Sequence, residues 1–121
     1  MSRDSITLEK CKRFSARVIR LDKYLRTNRC PMAISNQILR SGTSISANMA
    51  EAIYAISRSD FLSKSHIALK ECAETLNWLE LLYEAKHITQ PQFDSIKADC
   101  EEVLKLLIST TKTTRYNNVA V

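Results

Sequence analysis

Apolar residues recur along the chain at alternating spacings of three and four residues, a pattern typical of helices packed in a bundle. Four such stretches predict helices at about residues 5–28, 32–56, 60–87 and 91–113, and none predicts a strand. The positions expected to face the core are Cys11, Phe14, Val18, Leu21, Leu25, Ile38, Gly42, Ile45, Met49, Ala52, Ile56, Leu62, Leu69, Cys72, Leu76, Leu79, Tyr83, Phe93, Ile96, Cys100, Val103 and Leu107.

Short breaks separate the four stretches. Asn28 and Pro31 flank the first break, Ser59-Asp60 is expected to cap the third helix, and Thr89 is expected to cap the fourth. Since short connections place neighbouring helices antiparallel, the sequence predicts an all-α, antiparallel up-and-down four-helix bundle over residues 1–112. Residues 113–121 lose the periodicity and are expected to form a frayed C-terminal tail.

Composition narrows the classes of function. The chain has 121 residues, which favours one domain, and it has one glycine. Dinucleotide-binding and Walker loops need several glycines, so both are excluded, and a β-sandwich with its many turns is disfavoured.

The four cysteines and the N-terminus indicate the compartment. No C-x-x-C pair occurs, so a zinc ribbon or a thioredoxin-like site is disfavoured. The N-terminus does not resemble a signal peptide, and no apolar run of about 18 residues would cross a membrane. We therefore expect a cytoplasmic protein without a membrane partner, whose cysteines are reduced and buried.

Gly42 lies on the apolar seam of the second predicted helix. A mid-helix glycine costs roughly 1 kcal/mol relative to alanine. We interpret it as a site where a neighbouring helix approaches closely, and the alternative is evolutionary drift.

The third predicted helix has a second apolar flank beside its core-facing seam. Ile67, Trp78, Leu81 and Ala85 lie on this flank. A monomeric bundle needs only one stripe on each helix, so the flank favours contact with another subunit. The alternative is that Trp78 covers the edge of the core.

Charge is divided unevenly along the chain. The net charge is +5, but residues 1–70 hold 13 Lys and Arg against 5 Asp and Glu, net +8, and residues 71–121 are net −3. On the first helix, Lys10, Arg13, Arg17 and Arg20 fall within about 80° of arc, and Lys23 and Arg26 lie nearby. These six cations predict contacts to nucleic-acid phosphates, although a solvated face is the alternative.

Several polar residues lie on or beside the apolar seams. They are Arg40, Asn48, Glu51, Glu71 and Glu74. Because an unpaired buried charge is costly, we expect Arg40 to pair with Glu71 or Glu74 and to fix helix register or a subunit contact. The alternative is an acid–base site.

Catalytic signals are weak. Glu84 and His87 have the Glu-x-x-His spacing of di-iron bundles, but a second such motif is missing, since Ser63 precedes His66. His87 is more simply a cation near a helix C-terminus. With no nucleophile–base pair evident, we expect neither an enzyme, nor a cofactor, nor a metal site.

The segment at residues 37–52, Gln-Ile-Leu-Arg-Ser-Gly-Thr-Ser-Ile-Ser-Ala-Asn-Met-Ala-Glu-Ala, resembles the signature of a known family. That family consists of bacterial four-helix bundle proteins encoded in 23S ribosomal RNA intervening sequences. Similarity continues through Ser59-Asp60-Phe61, residues 67–71, Glu74-Thr75 and residues 78–82, and it covers about residues 8–86.

The resemblance implies a homo-oligomer, in this family a pentameric ring, without known catalytic activity. Relatives include the accessory variability protein of diversity-generating retroelements, a basic pentamer that binds nucleic acid and a reverse transcriptase. The resulting hypothesis is a non-catalytic pentamer that binds RNA or DNA non-specifically. The alternative is a protein-interaction scaffold, for example a reverse-transcriptase accessory protein.

Overall fold

Four helices account for the fold in the computed structural model, which describes the backbone of residues 2–120 and the side chains of residues 2–112. They are α1 (Arg3–Thr27), α2 (Met32–Ile53), α3 (Arg58–Glu84) and α4 (Gln90–Ala120). The described backbone contains no strand, so the all-α prediction is confirmed. The expected fraying at residues 113–121 falls outside the described side chains and stays a prediction.

The helices pack in sequence order around a square. α1 contacts α2, α2 contacts α3, α3 contacts α4, and α4 closes on α1 with the sparsest packing of the four seams. Arg3 bonds to Ser109 and Arg17 to Asp99, so residue numbers rise along α1 as they fall along α4. The arrangement is therefore an antiparallel up-and-down bundle in which α1 and α3 lie on one diagonal.

Side-chain caps fix where three of the helices begin. The Ser2 hydroxyl accepts the Ser5 N–H at 3.1 Å and starts α1. Thr89 and Gln92 bond reciprocally at the start of α4, as the sequence predicts for Thr89. At α3 the predicted cap is wrong: the Ser57 hydroxyl accepts the Asp60 N–H at 3.0 Å, so the helix begins before Ser59.

The helix ends also depart from the predicted boundaries. α2 stops at Ile53, so Ile56 lies in the turn and is 95% exposed instead of joining the core. Arg29 and Lys86 follow α1 and α3 with positive φ values of 62° and 64°. Left-handed residues of this kind commonly end helices, although glycine is the usual choice.

All four helices contribute to the core. Most predicted core positions are buried, whereas Leu21, Leu62, Leu69, Leu76 and Tyr83 are half-buried at its margin. The four cysteines are buried and unpaired, in agreement with a packing role. The buried apolar residues are Cys11, Phe14, Val18, Leu25, Cys30, Ile38, Ile45, Met49, Ala52, Ala68, Cys72, Leu79, Leu82, Ile88, Phe93, Ile96, Cys100, Val103 and Leu107.

Helices α1 and α2 approach each other closely at Gly42. A Cβ atom there would lie 2.5 Å from Val18 Cγ1. The buried Ser15 hydroxyl also donates to the Gly42 carbonyl at 2.6 Å. The close helix approach inferred from this glycine is thus present, and Val18 is the residue that occupies the space.

Candidate nucleic-acid interface

The basic stripe of α1 lies along the seam with α4. Lys10, Arg13, Arg17 and Arg20 line one groove of about 430 Å³ between these helices. Phe14 and Val103 form part of its apolar floor, and Asp99 and Glu102 face the cations from α4. The structure therefore brings four of the six predicted phosphate-binding residues together.

Two of these cations are bonded across the groove. Lys10 Nζ lies 3.4 Å from a Glu102 carboxylate oxygen. Arg17 donates to Asp99 at 2.6 Å and to the Ser95 hydroxyl at 2.8 Å. Both cations are thus partly neutralised by the same chain, which the sequence analysis did not anticipate.

The other cations have different surroundings. Arg13 pairs with Glu9 on its own helix at 2.7 Å, and its side chain is 71% exposed. Arg26 donates to Asp22 on its own helix and to Asn36 on α2, each at 2.9 Å. Arg20 and Lys23 are exposed, and neither forms an ion pair with the side chains that the structure describes. Of the six cations, Arg26 is therefore the one that is bonded toward α2 and not toward the groove.

A second cavity continues the groove toward the turn between α3 and α4. It has a volume of about 250 Å³ and shares Arg17 and Arg20 with the first. Its floor is apolar and contains Leu21, Ile88 and Ile96. In the sequence, the only indication that α4 faces the cations of α1 is the helical spacing of Ser95, Asp99 and Glu102.

On the opposite seam, Arg40 joins α2 to α3 as the sequence predicts. Its guanidinium donates to Glu71 at 3.2 Å and to Glu74 at 2.5 Å. The Trp78 indole N–H also donates to Glu74, at 3.1 Å. We refer to these four residues as the Arg40 network.

Hydrogen bonding shifts the ionisation of this network. The Trp78 N–H and then Arg40 lower the pKa of the Glu74 carboxyl below its usual value, against partial burial. The same bond to Glu74 is the main reason why the pKa of Arg40 is raised. Both groups are therefore charged at neutral pH, which suits a structural clamp better than proton transfer.

Asn48 and Glu51 do not join the network. The Asn48 amide donates to the Ser44 carbonyl of its own helix at 2.8 Å. Glu51 lies 3.6 Å from Lys64 on α3. Their roles are thus local, one within α2 and one across the α2–α3 seam.

The second apolar flank of α3 is divided in two. Trp78 is half-buried and packs against the core, in agreement with the alternative that it covers the edge of the core. Ile67 and Leu81 remain 39% and 47% exposed. The exposed pair is the part of the flank that is available to another molecule.

Within the described residues, no group of three or more His, Cys, Asp or Glu side chains is placed to bind a metal ion. The same part of the chain contains no helix long and apolar enough to cross a bilayer.

Comparisons with known proteins identify the family of the chain and agree with its fold. The model of the family described as 23S rRNA-intervening sequence protein matches residues 3–109. The chain is also similar to a crystal structure from Bacteroides thetaiotaomicron VPI-5482, a protein of unknown function from the S23 ribosomal protein family. The TM-score is 0.88 at 47% identity, covering 92% of this chain and 99% of that chain. No curated protein matches the chain.

Proposed function

Because the chain belongs to the family of 23S rRNA-intervening sequence proteins, we propose that it is a non-catalytic, homo-oligomeric bundle that binds RNA or DNA without sequence specificity. Its assembly is a pentameric ring, as the family resemblance implies. It acts in the cytoplasm, where reducing conditions keep its four thiols free.

One observation carries the nucleic-acid proposal: the outer side of α1 is rich in exposed cations. Arg13, Arg20 and Lys23 are exposed there, together with Lys12, and Glu9 is the acidic residue among them. Such a surface attracts a phosphate backbone and releases its counterions. Tyr24 lies beside these cations and is exposed, but one ring does not stack successive bases, so we expect binding to the backbone and not to the sequence.

The ion pairs in the groove weaken this surface without removing it. Exposed ion pairs contribute about 0–1 kcal/mol, so a phosphate group competes readily for Lys10 and Arg17. We therefore assign the main contacts to the outer cations and secondary contacts to the groove.

A titration with a fluorescent RNA at two salt concentrations tests the proposal. Affinity should fall steeply with salt, and it should fall at least tenfold in the triple variant Arg13→Gln/Arg20→Gln/Lys23→Gln. The matched control is Lys70→Gln/Lys86→Gln/Lys105→Gln, which removes the same charge from other surfaces. Equal losses in the two variants, or no binding by the native protein at low salt, would refute the proposed interface.

A protein-interaction scaffold is the second candidate, with a reverse transcriptase as one example of a partner. It is favoured by the turn between α2 and α3, where Tyr54 is 85% exposed and Ile56 is 95% exposed. Large apolar side chains in such positions are typical contacts for another protein. An intact oligomer that binds no RNA at any salt concentration would support the scaffold instead.

A further inference from the structure

The smaller cavity at the α1–α4 seam offers a second kind of binding site. Leu21, Ile88 and Ile96 form its floor, and its volume is about 250 Å³. The two isoleucines are 4% exposed, so they are fixed in the core and provide a rigid apolar surface. A charged nucleic-acid backbone forms no favourable contact with such an apolar floor, so nucleic-acid binding does not explain the cavity.

The rim of this cavity is cationic. Arg20 stands at the edge, and it has no ion-pair partner among the described side chains. Arg17 lies beside it, held by Asp99 and Ser95, and Tyr24 forms another edge. The arrangement therefore combines one available guanidinium, one immobilised guanidinium and an apolar floor.

We propose that this cavity binds a small amphipathic carboxylate. The acid group pairs with Arg20, whose planar guanidinium matches a carboxylate, and the hydrocarbon body covers Leu21, Ile88 and Ile96. Sites for drug-sized ligands span roughly 300–1,000 Å³, so this cavity suits a smaller molecule with a short alkyl chain or a single ring. Charge complementarity at the rim selects the anion over a neutral molecule of the same shape.

Binding at this position has a structural consequence. The α1–α4 seam is the most sparsely packed of the four. A ligand that touches Arg20 and Leu21 on α1 and Ile96 on α4 adds contacts across that seam. Because it binds the closed bundle and not the separated helices, it should also raise the melting temperature.

The probe is octanoate, with 1-octanol as its uncharged counterpart. Methyl-labelled protein is titrated and followed by NMR, with thermal denaturation in parallel. We expect octanoate to shift the methyl resonances of Leu21, Ile88 and Ile96 saturably and to raise the melting temperature. Octanol should bind at least several-fold more weakly, because it lacks the charge that Arg20 recognises.

Two charge variants separate this site from the nucleic-acid surface. Arg20→Gln should weaken octanoate binding about tenfold, whereas Lys23→Gln should leave it unchanged although it removes the same charge. RNA affinity should fall in both variants, so the two proposals can fail independently. A Leu21→Trp variant that remains folded should block octanoate and spare RNA.

Three results would overturn the proposal. They are the absence of saturable octanoate shifts at these methyl groups, equal weakening by Arg20→Gln and Lys23→Gln, and shifts confined to the methyl groups of the exposed residues Met32 and Ile56. If Leu21→Trp fails to fold, the two charge variants still decide the question.

Discussion

At the scale of single residues, Gly42 shows how one missing methyl group sets the distance between two helices. Its carbonyl accepts the Ser15 hydroxyl, and Val18 occupies the space where a side chain would begin. Valine is stiff at χ1, so it has little freedom to move aside. The glycine is therefore required by packing and not by backbone conformation, since its φ is not positive.

We predict that Gly42→Ala destabilises the protein by about 1–3 kcal/mol through overpacking, although alanine favours a helix by about 1 kcal/mol. Urea denaturation measures the change. In a Val18→Ala background the same substitution should cost less, because the contacts to Cγ1 at 2.5 Å and Cγ2 at 2.8 Å are removed and only the one to Cβ at 2.9 Å remains. Strictly additive effects of the two substitutions would contradict this explanation.

The bond between Trp78 and Glu74 provides a spectroscopic test of the Arg40 network. Trp78 is the single tryptophan of the chain, so its fluorescence reports this site. The folded-state pKa of Glu74 is lowered, so its contribution to stability is present at neutral pH and is lost as pH falls through that pKa. We therefore predict a fluorescence transition with a midpoint below the ordinary value of 4.5.

In the same experiment, Glu74→Gln should abolish the transition, whereas Glu80→Gln on the same helix should leave it in place. A midpoint at or above the ordinary carboxyl value would show that the Trp78 bond does not form in solution.

At the scale of helices, the α1–α4 seam differs from the other three. Its margin is bridged by Lys10–Glu102 and Arg17–Asp99 instead of being closed by apolar packing. Partly exposed ion pairs add little free energy, so this seam should open before the others. The cavities beneath these bridges have the same cause, because sparse packing leaves room between the helices.

We predict that Arg17→Ala speeds hydrogen exchange in α4 near Ser95 and Asp99, with little change in α2 and α3. The global stability should fall by no more than about 1 kcal/mol, since the pair is partly exposed. Arg13→Ala is the matched control, because Arg13 pairs within α1 and does not cross the seam. Exchange that rises equally in all four helices would argue against local opening.

At the scale of the whole molecule, the basic stripe of α1 and the exposed apolar flank of α3 lie on opposite corners, although α1 also exposes Ile6 and Ile19. The cations of α1 and the exposed Ile67 and Leu81 of α3 belong to diagonal helices. In the proposed ring, the α3 corner of one subunit would meet a different face of its neighbour, and the outer side of α1 would stay open to a polyanion if that face is not α1. Glu80 and Glu84 make the Leu81 end of that corner unfavourable for nucleic acid, whereas Lys70 lies near Ile67 at the other end.

We predict that Leu81→Glu lowers the mass of the particle in sedimentation experiments while helicity is retained, because it places a charge in the proposed subunit contact. Ile6→Glu is the control, since Ile6 is 44% exposed on α1, the helix diagonal to α3. A native protein that sediments as a monomer would contradict the proposed assembly.

Hydrophobic spacing and local chemistry were enough to predict the helical fold and much of the core. Hydrophobic spacing located all four helices, and burial at Ile38, Ile45 and Met49 follows from it. The preference of threonine for N-cap positions also predicted the Thr89 cap, and the cost of an unpaired charge predicted the pairing of Arg40. These features are accessible because they depend on helical periodicity or on the cost of an unpaired charge.

The neighbours of the α1 cations, in contrast, could not be predicted without the packing of the four helices. Periodicity gives the angle between Arg17 and Arg20 on one helix, but it gives neither the rotation of α1 nor the register of a helix some 80 residues away in sequence. Packing of all four helices sets both, and it places Asp99 against Arg17 and leaves Arg20 at a cavity. The exposure of Ile56 and the choice of Ser57 as a cap have a related origin. Several residues near that turn fit the N-cap preference or the hydrophobic spacing equally well. Which of them caps the helix or is buried depends on the path of the chain between the packed helices.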